Sequence, residues 1–504
     1  MSGALDLDLA ALRPELWLVA GIVLTLVVDL VSRGRARTGT GLVALAAVGA
    51  ALCTLLREPS ATYRAFGLLA LDGQADLFRA LIIAGSGFVV LHAISFRQLE
   101  GGTRSELYPL VLAAALGGCL LVSTDHLLML LLAMEMLSLP SYLMAGWQKQ
   151  ERRSSEAALK YLVYGGLASA LMVFGFSLMY GLAGSLWIQD VGLALVQAWE
   201  HGSAASQVAV VLSTVLVLAG VGFKCAIFPF HFWAPDVYEG APAPVTTLLA
   251  VASKAAGFGM LVRVTEGLLL GDLAISGDWV KRVGFVVAAV SAVTMTYGNV
   301  TAVLQRNVKR LLAYSSIAHA GYLLMGLAVM LSNPDPASGM RGVGLQSLVF
   351  YLVTYYVATL GAFTCAMTLS NRFGAEDTED YKGLGWSAPW LGGAFCVFLV
   401  SLTGLPPTIG FAGKFVLFQA SLDSGLAWLA VVAALNTVVS LFYYFKIMRA
   451  LFLRGDTEVV PGIAARGPMA ALAAASIGVL AVVTLWFGLS WDGLLGWVTG
   501  ALAV

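Results

Sequence analysis

Long apolar runs recur from one end of this chain to the other, separated by short polar clusters, and a run of about 20 apolar residues makes a helix long enough to cross a bilayer. The pattern predicts about fourteen crossings. They fall over 15–31, 39–56, 74–96, 107–123, 126–147, 156–182, 206–230, 242–268, 280–299, 308–331, 344–371, 388–417, 425–453 and 468–489. No stretch reads as β-strand or as a soluble domain. The longest polar connections lie around 183–205 and 372–387. The expected fold is an all-α polytopic transmembrane bundle, a single membrane domain over 1–504.

Two crossings are interrupted. The seventh reads GVGFKCAIFPFHFWAPD, with Pro229 and Pro235, and the twelfth reads SLTGLPPTIGFAGKF, with Gly404, Pro406, Pro407 and Gly410. Proline inside a spanning helix frees backbone carbonyls, which is tolerable only against protein or water. Paired broken helices in two halves of a transporter mark the ion path and an inverted repeat. The two segments lie five apart in order, which predicts one five-helix repeat over 107–268 and a second over 280–455. The plainer alternative is that the prolines only kink helices for packing.

Composition agrees with the pattern. The chain is 59% hydrophobic and 12% charged, with a mean hydropathy of +0.86; soluble domains carry about 25% charged residues. The net charge is zero, so charge offers nothing to nucleic acid. Cys53, Cys119, Cys225, Cys365 and Cys396 are scattered among apolar runs, without the spacing of an iron–sulfur or zinc site. The first apolar run has its main positive cluster after it, at Arg33, Arg35 and Arg37, so it reads as a retained helix rather than a cleaved signal.

The basic residues also set an orientation. Alternate connections hold Arg33/Arg35/Arg37, Arg97/Arg104, Lys149/Arg152/Arg153, Arg306/Lys309/Arg310, Arg372/Lys382 and Lys446/Arg449/Arg454. The other set is poorer, with Arg57/Arg64, Lys281/Arg282 and Arg341. The richer set belongs in the cytoplasm, and an even number of crossings then puts both termini outside.

Against this background, charges within the crossings stand out. A charge at mid-bilayer costs about 2.5–3.5 kcal/mol. Glu135 lies in LLMLLLAMEMLSLPSYLMAGW, Lys224 just before the seventh-segment break, Lys254 in VTTLLAVASKAAGFGMLVRV, and Lys414 just past the twelfth-segment break. Desolvation disfavours an ammonium and a nearby carboxylate favours it. A lysine caught between the two can hold a proton and release it, so Glu135 is paired with Lys224, with Lys254 and Lys414 as successive stations. Static ion pairs between helices are the alternative. His319 sits beside Tyr314, Ser315 and Ser316, a polar face that suits either a proton relay or interhelical hydrogen bonding. Lys160, nearer a crossing end, is held as a further relay residue. His92, His126, His201 and His231 lie near segment ends, and Arg79 and Arg263 receive no role.

No dinucleotide fingerprint, P-loop or nucleophile elbow is present. The driving force must come from an ion gradient or from partner subunits. One charge moved through 100 mV is worth about 2.3 kcal/mol, comparable to the insertion cost of one such residue.

Five segments carry a family resemblance: MEMLSLPSYLMAGW, RSSEAALKYLVYGGLASAL, GFKCAIFPFHFWAPDVYEGAPAPVTTLLAVASKAAGFG, NVKRLLAYSSIAHAGYLLMGL and SLTGLPPTIGFAGKF. Together they resemble the antiporter-like, proton-translocating membrane subunits of respiratory complex I, over roughly 100–455. HFWAPDVYEGAPAPVT and GFAGKF are most similar to the N-type branch. The M-type usually has glutamate where Lys414 stands, and the L-type carries a long C-terminal lateral helix for which this chain has no room. The resemblance implies that Glu135, Lys224, Lys254, His319 and Lys414 serve proton translocation. It implies no cofactor in this chain, with NADH, FMN, iron–sulfur clusters and quinone in partner subunits. It also implies an inner-membrane location among lipid, an M-type neighbour and small K/J-type subunits. Subunits of multisubunit sodium/proton antiporters or membrane-bound hydrogenases are the alternative.

Overall fold

The computed structural model describes residues 2–33, 36–57, 62–96, 104–270, 277–333, 338–453 and 468–502. Arg35, Arg97 and Arg454 of the charge alternation lie outside the described residues.

Among the described residues thirteen helices are long and apolar enough to cross a membrane. They are α1 (Arg13–Ser32), α2 (Arg37–Arg57), α3 (Gly73–Ser95), α4 (Arg104–Val122), α5 (Leu127–Ala145), α6 (Arg152–Ala183) and α7 (Ala204–Cys225). After them come α8 (Ala243–Leu269), α9 (Gly277–Val303), α10 (Val308–Ser332), α11 (Met340–Phe373), α13 (Ala427–Phe452) and α14 (Pro468–Leu489). The fourteenth crossing is the interrupted pair α12a (Pro389–Thr403) and α12b (Ile409–Asp423). Among the described residues each of the fourteen predicted crossings is thus matched by a helix or by the interrupted pair.

Both expected interruptions are present. Helix α7 stops at Cys225, and its cap Ala226 adopts a left-handed conformation with φ 55°. The chain then runs through Pro229 to a short helix, Trp233–Gly240. Helix α12a stops at the left-handed Gly404, φ 85°, and α12b begins at Ile409. Helix α8 contains a π-helical turn, Leu249–Ser253, immediately before Lys254; such turns are rare and concentrate at functional sites.

Three features depart from the sequence pattern. A small hairpin pairs β1 (Tyr63–Ala65) with β2 (Leu69–Leu71), although no strand was expected. Three residues a side is too short for alternation to register. The connection 183–205 contains an amphipathic helix, Ile188–Glu200, that buries Ile188, Val191 and Leu195. Helices Ser2–Ala11 and Asp492–Leu502 flank the crossings.

The centre of the bundle is α8, α10 and α11. Their apolar stretches are 100%, 94% and 94% buried by protein, against 22% in α1 and 28% in α14. Lipid and protein interior are equally apolar, so close packing must select the neighbours. Small residues permit it. A Cβ on Gly298 of α9 would come 2.5 Å from the Ala318 nitrogen of α10, and one on Gly321 would come equally close to the Met295 nitrogen.

Buried ion pairs fix the face at which α1 begins. Arg79 of α3, fully buried, gives a two-point contact to Glu15 of α1 at 2.8 and 2.6 Å and reaches Asp76 at 2.8 Å. Arg263 of α8 meets Asp72, the cap of α3, at 2.5 Å. The two arginines without a role in the pattern thus tie α1, α3 and α8 together.

Candidate functional site

Lys254 lies one residue past the π-helical turn, in a helix with no lipid-facing side, and is 2% exposed. Its ammonium donates to the Ser316 carbonyl and, at 2.6 Å, to the Ser316 hydroxyl of α10. That hydroxyl bonds the Tyr355 hydroxyl of α11 at 2.8 Å, and the ammonium sits 5.3 Å from the Tyr355 ring centre. One helical turn along α10, His319 is gripped from both sides. Its Nδ1 is 2.6 Å from the Tyr351 hydroxyl and its Nε2 is 3.2 Å from the Tyr444 hydroxyl of α13. Tyr444 in turn bonds Ser315. The His319 and Tyr355 rings are 4.8 Å apart.

Lys414 of α12b closes the line. It donates to the Thr403 carbonyl at 2.8 Å and to the Thr437 hydroxyl of α13 at 3.2 Å, and lies 4.5 Å from the Tyr322 ring centre. The Thr403 carbonyl belongs to the last turn of α12a, where a helix has no partner for it. Lys414 therefore fills a bond that the break leaves open. The Tyr322 hydroxyl is 3.2 Å from Thr437 and its ring 5.9 Å from His319. Lys254, His319 and Lys414 thus lie in three hydrogen-bonded groups that meet through the His319–Tyr355 and His319–Tyr322 ring contacts.

Lys224 and Glu135 stand differently. Lys224, 3% exposed in the last turn of α7, donates to Ser138 of α5 at 3.1 Å. Ser138 follows Glu135 by one turn on the same helix face. The expected ion pair is not formed: among the described residues no carboxylate lies within 4.0 Å of the Lys224, Lys254 or Lys414 ammonium. Glu135 is half-buried rather than buried, because it sits at the rim of the bundle between the exposed Leu132 and Leu139, and it accepts a bond from Ser169 of α6. Lys224 and Lys254 share no direct hydrogen bond. Their helices meet at Gly257, where a Cβ would stand 3.2 Å from the Cys225 sulfur and 3.3 Å from the Lys224 carbonyl oxygen.

Lys160 is placed apart from this line. It lies where α6 begins, in ion pairs with Glu156 at 2.7 Å and Asp236 at 2.6 Å. A cavity of about 180 Å³ there is lined by Arg153, Glu156, Lys160, Asp236, Glu239 and Arg310.

The pattern along the chain did not pick out Tyr322, Tyr351, Tyr355, Tyr444 or Thr437. A signal existed. Tyrosine favours the membrane–water boundary, yet FYLVTYYVAT puts Tyr351 and Tyr355 mid-helix, four apart and so on one face. The hydroxyls matter chemically, since each both donates and accepts. A lysine on hydroxyl partners can be satisfied charged, as donor, or neutral, as acceptor. A carbonyl or carboxylate only accepts, so it has no proton to offer the lone pair of the neutral amine. Among the described residues no group of three or more His, Cys, Asp or Glu side chains could hold a metal ion.

Known proteins resemble this chain in sequence and fold. The family model for membrane subunits of NADH:quinone oxidoreductase and Mrp antiporters matches residues 124–440. NADH-quinone oxidoreductase subunit N of Anaeromyxobacter sp. is 39% identical, covering 97% of this chain and 96% of its own length. A chain of Thermus thermophilus respiratory complex I with bound aureothin superposes with a TM-score of 0.76 at 34% identity, covering 96% of this chain and 98% of that one. A chain of the Mrp complex of a Dietzia species superposes with a TM-score of 0.77 at 24% identity, covering 98% and 97%, which shows the fold alone. The chain belongs to the antiporter-like membrane-subunit family of NADH:quinone oxidoreductase, with its sequence relatives on the subunit N branch.

Proposed function

We propose that this chain is a proton-translocating membrane-arm subunit of an NADH:quinone oxidoreductase, moving protons along Lys224, Lys254, His319 and Lys414. The chain contributes translocation to the enzyme, and electron transfer from NADH to quinone occurs in partner subunits that hold NADH, FMN, iron–sulfur clusters and quinone. The observation that carries the reading is the polar line from Lys254 through Ser316, Tyr355, His319 and Tyr322 to Lys414, buried at the centre of an apolar bundle. Titratable groups are costly there, and hydroxyl partners let each lysine stay satisfied in both protonation states.

The two interrupted crossings divide the bundle into repeats over 107–268 and 280–455, with Lys224 and Lys414 at the two breaks. Glu135, one turn from the Ser138 that holds Lys224, biases that lysine towards its charged form from a distance rather than in a contact pair. Lys160 belongs to the ion cluster where α6 begins and acts there as a further relay residue. The basic-residue alternation supports a cytoplasmic position for that face and an outside position for both termini, and the reading implies the cell inner (plasma) membrane. An M-type antiporter-like subunit and small K/J-type subunits are the neighbours this reading implies.

The test is Lys224→Ala in the assembled complex, reconstituted into vesicles. The reading expects loss of proton pumping and of coupled quinone reduction. Normal pumping by a fully assembled variant would show that the lysine line is structural.

A further inference from the structure

The segment that follows the first break carries two acids that the lysine line does not use. Asp236, in the short helix Trp233–Gly240, accepts Lys160 of α6 on Oδ2 at 2.6 Å and Arg310 of α10 on Oδ1 at 2.6 Å. Glu239, one turn on, takes Arg310 at 2.9 Å. The residue before Arg310 also reaches this segment: Lys309 donates to the Ala241 carbonyl at 3.2 Å. Helix α10 is capped here by Asn307, which accepts from the Arg310 backbone at 3.1 Å. Its first turn is therefore fastened to the connection between α7 and α8 at three points.

The same two stretches of chain meet again inside the membrane. Helix α8 leaves this connection at Ala243 and carries Lys254, and α10 carries Ser316 six residues beyond Arg310. Six residues of helix span about 9 Å. A helix is stiff over that length, so the register set at Arg310 is the register presented at Ser316. We propose that Asp236 is a positioning residue: by sharing one carboxylate between Lys160 of the first repeat and Arg310 of the second, it sets α10 against α8 so that Ser316 meets Lys254. It touches none of Lys224, Lys254, His319 and Lys414, and its relay contact is the peripheral Lys160.

The arrangement also makes the idea testable without unfolding the chain. Without the Asp236 charge, Lys160 keeps Glu156 at 2.7 Å and Arg310 keeps Glu239 at 2.9 Å, so neither cation is stranded. What is lost is the one carboxylate shared by Lys160 and Arg310, while Arg310–Glu239 and Lys309–Ala241 still join the repeats less tightly. The inference rests on the proton line proposed above, and the experiment separates the two.

The measurement is proton pumping by the assembled complex in vesicles, normalised to NADH:ferricyanide activity, which reads the redox subunits alone. Asp236→Asn should lower normalised pumping by about tenfold, since an ångström-scale misplacement costs that much or more. Asp236→Glu, which keeps the charge but moves it by one methylene, should give an intermediate value. The Asp236→Asn/Arg310→Gln pair should lose no more than the worse single change, as expected of residues acting through one contact. Should Asp236→Asn not assemble, Asp236→Glu decides: reduced pumping supports positioning and a wild-type value overturns it. Lys254→Ala run beside these distinguishes the failures. If Lys254→Ala abolishes pumping while the Asp236 variants pump normally, the positioning role falls and the proton line stands. If Lys254→Ala pumps normally, the proton line falls, and this role with it.

Discussion

The two interrupted crossings use one device and put the charge on opposite sides of it. Both first halves end in a left-handed residue, Ala226 at φ 55° and Gly404 at φ 85°. Lys224 lies before its break, in the last turn of α7, and reaches across to Ser138 on another helix. Lys414 lies after its break, in α12b, and reaches back to the Thr403 carbonyl of its own crossing. The surroundings differ as well. Lys414 shares Thr437 with Tyr322 and so joins the tyrosine and histidine system, whereas Lys224 has one serine and a half-buried glutamate a turn away. One lysine is thus built into the central polar line, while the other is held at its margin. The second is the station better placed to feel a change at the rim of the bundle.

Removing either charge is the largest test of that contrast. Lys224→Ala and Lys414→Ala should each lower proton pumping of the assembled complex by about a hundredfold or more, the scale of a positioned proton-transfer group. The contrast sharpens with arginine. Lys414→Arg retains a cation for the Thr403 carbonyl and should be milder than Lys414→Ala; equal pumping rates would remove the argument that charge matters there. The caps give a third comparison, read as thermal stability of the solubilised complex. Gly404→Ala places a Cβ 2.7 Å from the Lys414 side chain in a left-handed position and should cost about 1–3 kcal/mol. Ala226→Gly relieves the same kind of strain and should be neutral or stabilising by about 1 kcal/mol. Glu135→Gln should have the smallest effect on pumping, below that of Lys224→Ala, because no contact ion pair is broken. Equal losses would mean that the carboxylate approaches Lys224 during turnover.

Much of this molecule was legible in the sequence because bilayers impose simple rules. Each crossing needs a long apolar run, and each exception to apolarity is costly enough to notice. That is why the interruptions at Pro229 and Pro406 and the residues Lys224, Lys254, His319 and Lys414 stood out before any coordinates. Partners did not. Glu135 and Lys224 read as a contact pair because opposite charges in one membrane invite it, but hydropathy carries no angle around the helix, and α5 turns Glu135 towards the rim. Tyr351 and Tyr355 were overlooked because tyrosine counts as apolar in a hydropathy window, although their hydroxyls hold His319 and the Ser316 that Lys254 bonds. Arg79 and Arg263 were visible as anomalies, but only the fold shows Glu15 and Asp72 against them.

The central claim is that protons pass through Lys254, 2% exposed at the centre of the bundle. The direct measurement is proton pumping by the reconstituted complex carrying Lys254→Met, a neutral side chain of similar length, at matched assembly and NADH:ferricyanide activity. The account predicts that pumping and coupled quinone reduction are lost together while the redox subunits keep their activity. Pumping at the wild-type rate would contradict it and leave Lys254, Ser316 and Tyr355 as a packing contact.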